Sequence, residues 1–77
     1  MSDDQLDRDM VAAVRAGDKA RIVRLYAQAA EASEATGDVD RACFFYTHAW
    51  VFAMEAGDPL AEDLRAKLVA HGRETDA

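Results

Sequence analysis

The sequence contains a single cysteine, so no disulfide can form within the chain. Short secreted domains stabilised by disulfides carry several paired cysteines, and this class is therefore excluded. The first residues also lack the basic and apolar stretches of a signal peptide. We therefore expect a cytoplasmic protein.

Basic residues are too few for a protein that binds nucleic acid. The chain has 9 Lys and Arg against 15 Asp and Glu, which gives a formal net charge of -6. Phosphate backbones and anionic lipid surfaces are recognised by clusters of basic side chains. We therefore expect neither nucleic acid nor a membrane as a partner.

Long hydrophobic runs are absent as well. The longest apolar window, Ala42 to Met54, has 13 residues and includes Thr47 and His48. A membrane-spanning helix needs about 20 apolar residues. With 77 residues in total, we expect a single helical-repeat domain over 1–77, with a frayed tail at 73–77.

The sequence does contain an internal repeat with a period of 20 residues. The repeated triplets are Ala16-Gly17-Asp18, Thr36-Gly37-Asp38 and Ala56-Gly57-Asp58. Glycine adopts the left-handed conformation that ends a helix, and aspartate accepts hydrogen bonds from the free N–H groups of the next helix. Each triplet therefore predicts a tight turn between two antiparallel helices.

The repeat predicts an all-α fold of four antiparallel helices, arranged as two stacked helical hairpins. The expected helices cover residues 3–16, 19–36, 39–56 and 59–71, and Gly72 ends the last one. Each helix has an apolar stripe at helical spacing. In the first helix this stripe consists of Leu6, Met10, Ala13 and Val14.

The third predicted helix is apolar on nearly all sides. Its expected core face consists of Ala42, Tyr46, Ala49 and Ala53, with Cys43 and a mostly buried Trp50 beside it. Further apolar residues fall outside that face, namely Phe44, Phe45, Val51 and Phe52. Because such a helix is normally covered on several sides, we expect it to organise the core.

The second and third helices together resemble a tetratricopeptide repeat over Ala20 to Pro59. Ala30 stands at the small-residue position of the first helix of the pair, and Gly37 falls in the turn. The Ala, aromatic and Ala positions of the second helix are matched by Ala42, Tyr46 and Ala49. The resemblance implies a right-handed helical stack, with a short helical bundle as the alternative arrangement. It also implies binding of a protein or a peptide, and nothing about catalysis.

Residues suited to catalysis or to metal binding do not converge in the sequence. Cys43 and His48 are five positions apart, so on a helix they point about 140° away from each other. A nucleophile needs its base within hydrogen-bonding distance. No metal-binding spacing of His and Cys and no phosphate-binding loop is present. We therefore expect neither an enzyme nor a cofactor.

The sequence also contains two clusters of charged residues. The acidic cluster of Asp3, Asp4, Asp7 and Asp9 is typical of a solvated helix start. The basic cluster consists of Arg15, Lys19, Arg21 and Arg24. It is either ordinary surface charge or a docking patch for an acidic partner.

The candidate partner-binding surface is a stripe on the third helix, formed by Phe45, His48 and Phe52. Phe45 and Phe52 are seven residues apart, which places them within about 20° of each other. We interpret the chain as a helical-repeat module that binds a protein or peptide through this stripe. The alternatives are a structural homodimer subunit, and a small four-helix ligand-binding protein or enzyme that uses His48.

Overall fold

Four α-helices make up the protein in a computed structural model that describes residues 3–73. They are α1 (Asp3–Ala16), α2 (Lys19–Ala35), α3 (Val39–Ala56) and α4 (Leu60–Ala70). No strand occurs within the described residues. The predicted all-α fold is confirmed, and the helix ends lie within one residue of those expected from the repeat.

The first two junctions have the expected cap chemistry. Asp18 Oδ1 accepts a hydrogen bond from the Arg21 N–H at 3.1 Å, and Asp38 Oδ1 accepts one from the Arg41 N–H at 3.1 Å. Gly37 ends α2 with φ of 82°, a conformation that other L-residues rarely adopt. A Cβ at Gly37 would meet nothing within 4 Å, so this positive φ, and not crowding, requires glycine.

The third junction differs in detail. Asp58 Oδ1 accepts from the Leu60 N–H at 3.0 Å, and the Ala61 N–H donates to the Asp58 carbonyl at 3.0 Å. This first turn is tighter than an α-helical turn. Pro59, which has no N–H to leave unsatisfied, occupies the cap position. As a result α4 begins at Leu60, one residue later than expected.

The helices pack in chain order. α1 packs on α2, α2 packs most extensively on α3, and α3 packs on α4. The two hairpins, α1–α2 and α3–α4, therefore stack through the α2–α3 contact. The Cα atoms span 35 × 30 × 13 Å. The short dimension corresponds to two layers of helices, because packed helix axes lie about 8–10 Å apart.

The core lies around α3, as the sequence predicts. Four residues of the predicted core face of α3 are almost completely buried, namely Ala42, Tyr46, Ala49 and Ala53. They pack with Val23 and Ala30 of α2 and with Leu64 and Leu68 of α4. The small alanines allow α2 to approach α3 closely, which explains why this contact is the most extensive of the fold.

One expectation about burial is wrong. Val14, assigned to the apolar stripe of α1, is 56% exposed. α1 packs chiefly on α2, through a small cluster around Ala13, Ile22 and Leu25, and this contact covers only a narrow stripe. Trp50 is partly buried and packs against the main core, in agreement with the expectation that it is mostly buried. Helical periodicity indicates which residues share a face, but the number of neighbouring helices decides how wide the covered face is.

The predicted frayed tail falls largely outside the described residues, since only Arg73 of 73–77 belongs to them. The Arg73 N–H donates to the Leu68 carbonyl at 2.8 Å, and its guanidinium pairs with Asp40 on α3. Arg73 is thus held against α3. Within residues 3–73, no helix combines the length and apolar character needed to cross a bilayer.

Candidate functional site

The stripe predicted from the sequence is assembled around a residue of the neighbouring helix. Phe45, His48 and Phe52 are half-buried on α3, and all three contact Tyr26 of α2. The ring centroids of Tyr26 lie 6.2 Å from Phe45, 5.4 Å from His48 and 5.9 Å from Phe52. The structure therefore brings the stripe together, but one side of it rests on Tyr26.

Phe44 extends this aromatic cluster into solvent, and Val51 lies on the same side of α3 by helical spacing. Phe44 is 56% exposed and Val51 is 41% exposed. The Phe44 ring lies 4.4 Å from His48 and 5.4 Å, edge-on, from Phe45. The sequence placed Phe44 and Val51 outside the core face. It did not place them in the binding stripe, although they are the more accessible residues.

Charged residues stand at the two ends of the same surface. The Arg41 guanidinium lies over the Phe45 ring, 5.5 Å from its centroid, at the start of α3. Glu55 is exposed in the last turn of α3. We call the complete surface the α3 outer face, and it consists of Arg41, Phe44, Phe45, His48, Val51, Phe52 and Glu55.

The imidazole of His48 is oriented by its own helix. Nδ1 of His48 lies 2.9 Å from the carbonyl oxygen of Phe44. Because a carbonyl oxygen only accepts hydrogen bonds, Nδ1 carries the hydrogen in this contact. Together with the rings of Tyr26 and Phe44, this bond holds the side chain in one position. His48 is therefore an ordered part of an apolar surface.

Cys43 is buried, and its carbonyl accepts a hydrogen bond from Thr47 Oγ1 at 2.8 Å. In the described part of the chain, no group of three or more His, Cys, Asp or Glu side chains is placed to hold a metal ion.

A second polar arrangement joins α2, α3 and the end of α4, and the sequence analysis did not identify it. The hydroxyl of the buried Tyr46 donates to Oε1 of Glu34 at 2.5 Å. Nε2 of His71 donates to Oε2 of the same carboxylate at 2.7 Å, and Nζ of Lys67 lies 4.0 Å from Oε1. Glu34 and His71 are 37 residues apart, so no local pattern could have indicated the contact.

This network shifts the pKa values of Glu34 and Tyr46 in opposite directions. The hydrogen bonds from Tyr46 and then from His71 hold the pKa of Glu34 below its ordinary value. Burial, followed by the hydrogen bond to Glu34, raises the pKa of Tyr46 well above its ordinary value. Glu34 is therefore a stable carboxylate acceptor, and Tyr46 a stable hydrogen donor.

An open groove of about 500 Å³ lies next to this network, between α2 and α4. We call it the α2–α4 groove. Apolar side chains and charged side chains both line it, and they are Ala27, Glu31, Tyr46, Leu60, Asp63, Leu64, Ala66 and Lys67. The alanines make room for the groove because their side chains are short.

Members of the two charged clusters pair with neighbouring groups. Nη1 of Arg24, from the basic cluster, lies 3.8 Å from Asp58 Oδ2 and donates to the Ala20 carbonyl at 3.0 Å. In the acidic cluster, Asp9 accepts from Gln5 Nε2 at 3.0 Å, while the side chains of Asp3 and Asp4 lie outside the described part. Arg24 therefore ties α2 to the turn before α4.

Comparison of the chain with protein-family models, with curated proteins and with solved structures finds no match. Of the surfaces described, the α3 outer face presents the exposed aromatic and aliphatic side chains that protein interfaces favour.

Proposed function

We propose that the protein is a small tetratricopeptide-like interaction module that binds a protein or peptide through the α3 outer face. The observation that carries the proposal is the exposure of Phe44 and Val51 on the side of α3 that carries the aromatic cluster. Exposed single apolar residues are common, but a contiguous apolar surface is typical of an interface. The proposed module acts without a cofactor and catalyses no reaction.

The energetics of the α3 outer face suit a binding role. Complete burial of a Phe or Val side chain contributes about 1.5–3 kcal/mol. The rings of Phe45, His48 and Phe52 are already packed against Tyr26, so a partner would immobilise few additional side chains. Such preorganisation lowers the entropic cost of association.

The proposal places the module in the cytoplasm. Its support is the single cysteine, which is buried and free, together with the acidic composition of the chain. A reduced thiol is the usual state of cysteine in that compartment.

A ligand-binding role is the second candidate, and the α2–α4 groove favours it. Its volume of about 500 Å³ lies in the range of small-molecule sites. However, the hydroxyl of Tyr46 is already bonded to Glu34, so that group has no free hydrogen for a ligand. For this reason we prefer the α3 outer face as the functional surface.

Site-specific photocrosslinking in the cells that produce the protein tests the proposal. Benzoylphenylalanine replaces Phe44 in one variant and Val14 in a control, because both residues are 56% exposed and lie on different helices. We expect an adduct of one discrete mass from position 44 and none from position 14. The adduct should disappear when Val51→Asp is added. Equal crosslinking from both positions, or none from either, would contradict a binding role for this face.

A further inference from the structure

The α3 outer face has the same residue spacing in both chain directions. Counted from His48, its other members stand three, four and seven positions away on each side. They are Phe45 and Val51, Phe44 and Phe52, and Arg41 and Glu55. Spacings of three, four and seven place residues on one side of a helix. Two α3 helices laid antiparallel across His48 therefore present matching positions to each other.

Antiparallel pairing would also bring chemically compatible side chains together. Phe44 would face Phe52 of the partner subunit, and Phe45 would face Val51 of the partner subunit. At each end, Arg41 would face Glu55 of the partner subunit. A two-fold axis produces every one of these contacts twice. Apolar groups would thus meet in the centre, with opposite charges at both ends.

We propose that the partner of the α3 outer face is a second copy of this chain, paired antiparallel through α3 with His48 at the two-fold axis. This inference rests on the proposed function, because it names the partner of the same surface. A parallel pairing would place Arg41 against Arg41 of the partner subunit and Glu55 against Glu55 of the partner subunit. Like charges in contact disfavour that arrangement, so the charge pattern selects the antiparallel one.

The size of the α3 outer face determines how tightly the two copies are expected to bind each other. From Arg41 to Glu55 the face is about 21 Å long, at about 1.5 Å per residue. A single helix face belongs to the interfaces of less than about 1,200 Å², which are typical of transient complexes. The dimer should therefore dissociate on dilution through the micromolar range.

Charge reversal tests the geometry in the purified protein. Arg41→Glu and Glu55→Arg each place like charges opposite one another at both ends of a homodimer. Analytical ultracentrifugation should show dissociation constants raised about tenfold for each single variant, the size expected when two exposed ion pairs become repulsive. Both changes suit their ends of the helix dipole, so circular dichroism should show unchanged helix content.

Mixing the two single variants gives the decisive measurement. In a mixed antiparallel dimer, the two substituted positions meet at one end, where Arg41→Glu of one subunit faces Glu55→Arg of the other. At the opposite end the native Arg41 meets the native Glu55, so both ends pair opposite charges. The mixture should therefore associate about as strongly as the unmodified protein, although neither variant does so alone. A structural role of Arg41 or Glu55 in folding would not produce this restoration.

Arg21→Glu is the matched control, since the N–H of Arg21 bonds to Asp18 in the same way as that of Arg41 bonds to Asp38. It should leave association unchanged. A chain that stays monomeric up to about 1 mM would overturn the inference. So would a dimer whose dissociation constant changes neither with the charge reversals nor when the two variants are mixed. If the chain is monomeric but position 44 still crosslinks to a different protein, only the self-pairing fails. If it crosslinks to nothing, the proposed function fails as well.

Discussion

Tyr46 on α3 donates its hydroxyl hydrogen to Glu34 on α2 across 2.5 Å, although Tyr46 is only 1% exposed. The same carboxylate accepts a hydrogen bond from His71 at the end of α4. One acidic side chain thus connects three helices. Among the described residues, no buried side-chain nitrogen or oxygen lacks a hydrogen-bond partner, and this network is what satisfies the hydroxyl of Tyr46.

Tyr46→Phe should lower the free energy of unfolding by about 1.5 kcal/mol, because it removes a hydrogen bond to a charged acceptor. This loss is at the low end of the range for hydrogen bonds to charged groups, since Glu34 is partly exposed and remains bonded to His71. Urea denaturation measures the change. Tyr26→Phe is the control and leaves the Glu34 network intact. Equal effects of the two substitutions would contradict the importance of the Tyr46–Glu34 bond.

Glu34 should make the free energy of unfolding depend on pH under acidic conditions. Its pKa in the folded protein is lowered from the ordinary value of 4.5, so the folded state favours the carboxylate form. Its stabilising contribution is complete above the unfolded value, and it is lost as the pH falls below 4.5 through the folded value. The difference in stability between the unmodified protein and Glu34→Gln should therefore shrink between about pH 6 and pH 3. A difference that stays constant over this range would contradict the lowered pKa.

Ala49→Glu should unfold the protein. Ala49 is 0% exposed at the α2–α3 contact, and an unpaired buried charge costs roughly 3–5 kcal/mol. A chain of this length is stable by only about 4–12 kcal/mol, and the larger side chain also forces the helices apart. Circular dichroism measures the loss of helix. Ala12→Glu, at an exposed position of α1, should leave the thermal midpoint nearly unchanged, whereas a folded Ala49→Glu variant would show that the core face is wrongly assigned.

Phe44→Asp and Phe52→Asp should separate association from folding. Phe44 is largely exposed, so Phe44→Asp should abolish association and change stability by less than about 0.5 kcal/mol. Phe52 is half-buried against Tyr26 and packs on both core clusters. Phe52→Asp should therefore weaken association and lower the thermal midpoint as well. If Phe44→Asp melts a strictly monomeric protein, this part of α3 is core and presents no binding surface.

The candidate site was predictable in part. Helical spacing predicted that Phe45, His48 and Phe52 lie on one side of α3, and the structure confirms that they lie together. Their contact with Tyr26 could not be predicted, because it depends on how α2 is rotated against α3. The same rotation leaves Phe44 more exposed than the predicted stripe.

The sequence by itself determined the helix ends to within one residue, and it determined the core face of α3. Capping is local, since Asp18 and Asp38 bond to N–H groups only three residues away, and Gly37 has its left-handed φ within the same turn. The face of Ala49 and Tyr46 follows from the α-helical period alone. Such interactions are encoded within a few neighbouring positions, so their prediction needs no knowledge of the fold.

Only the tertiary structure decided the contacts between helices that are distant in sequence. Glu34 meets His71 across 37 positions, and Arg73 reaches Asp40 across 33. Val14 remains exposed because α1 packs chiefly on one neighbouring helix. These outcomes depend on the crossing angles and rotations of whole helices, which result from the summed packing of many side chains and not from the spacing within one segment.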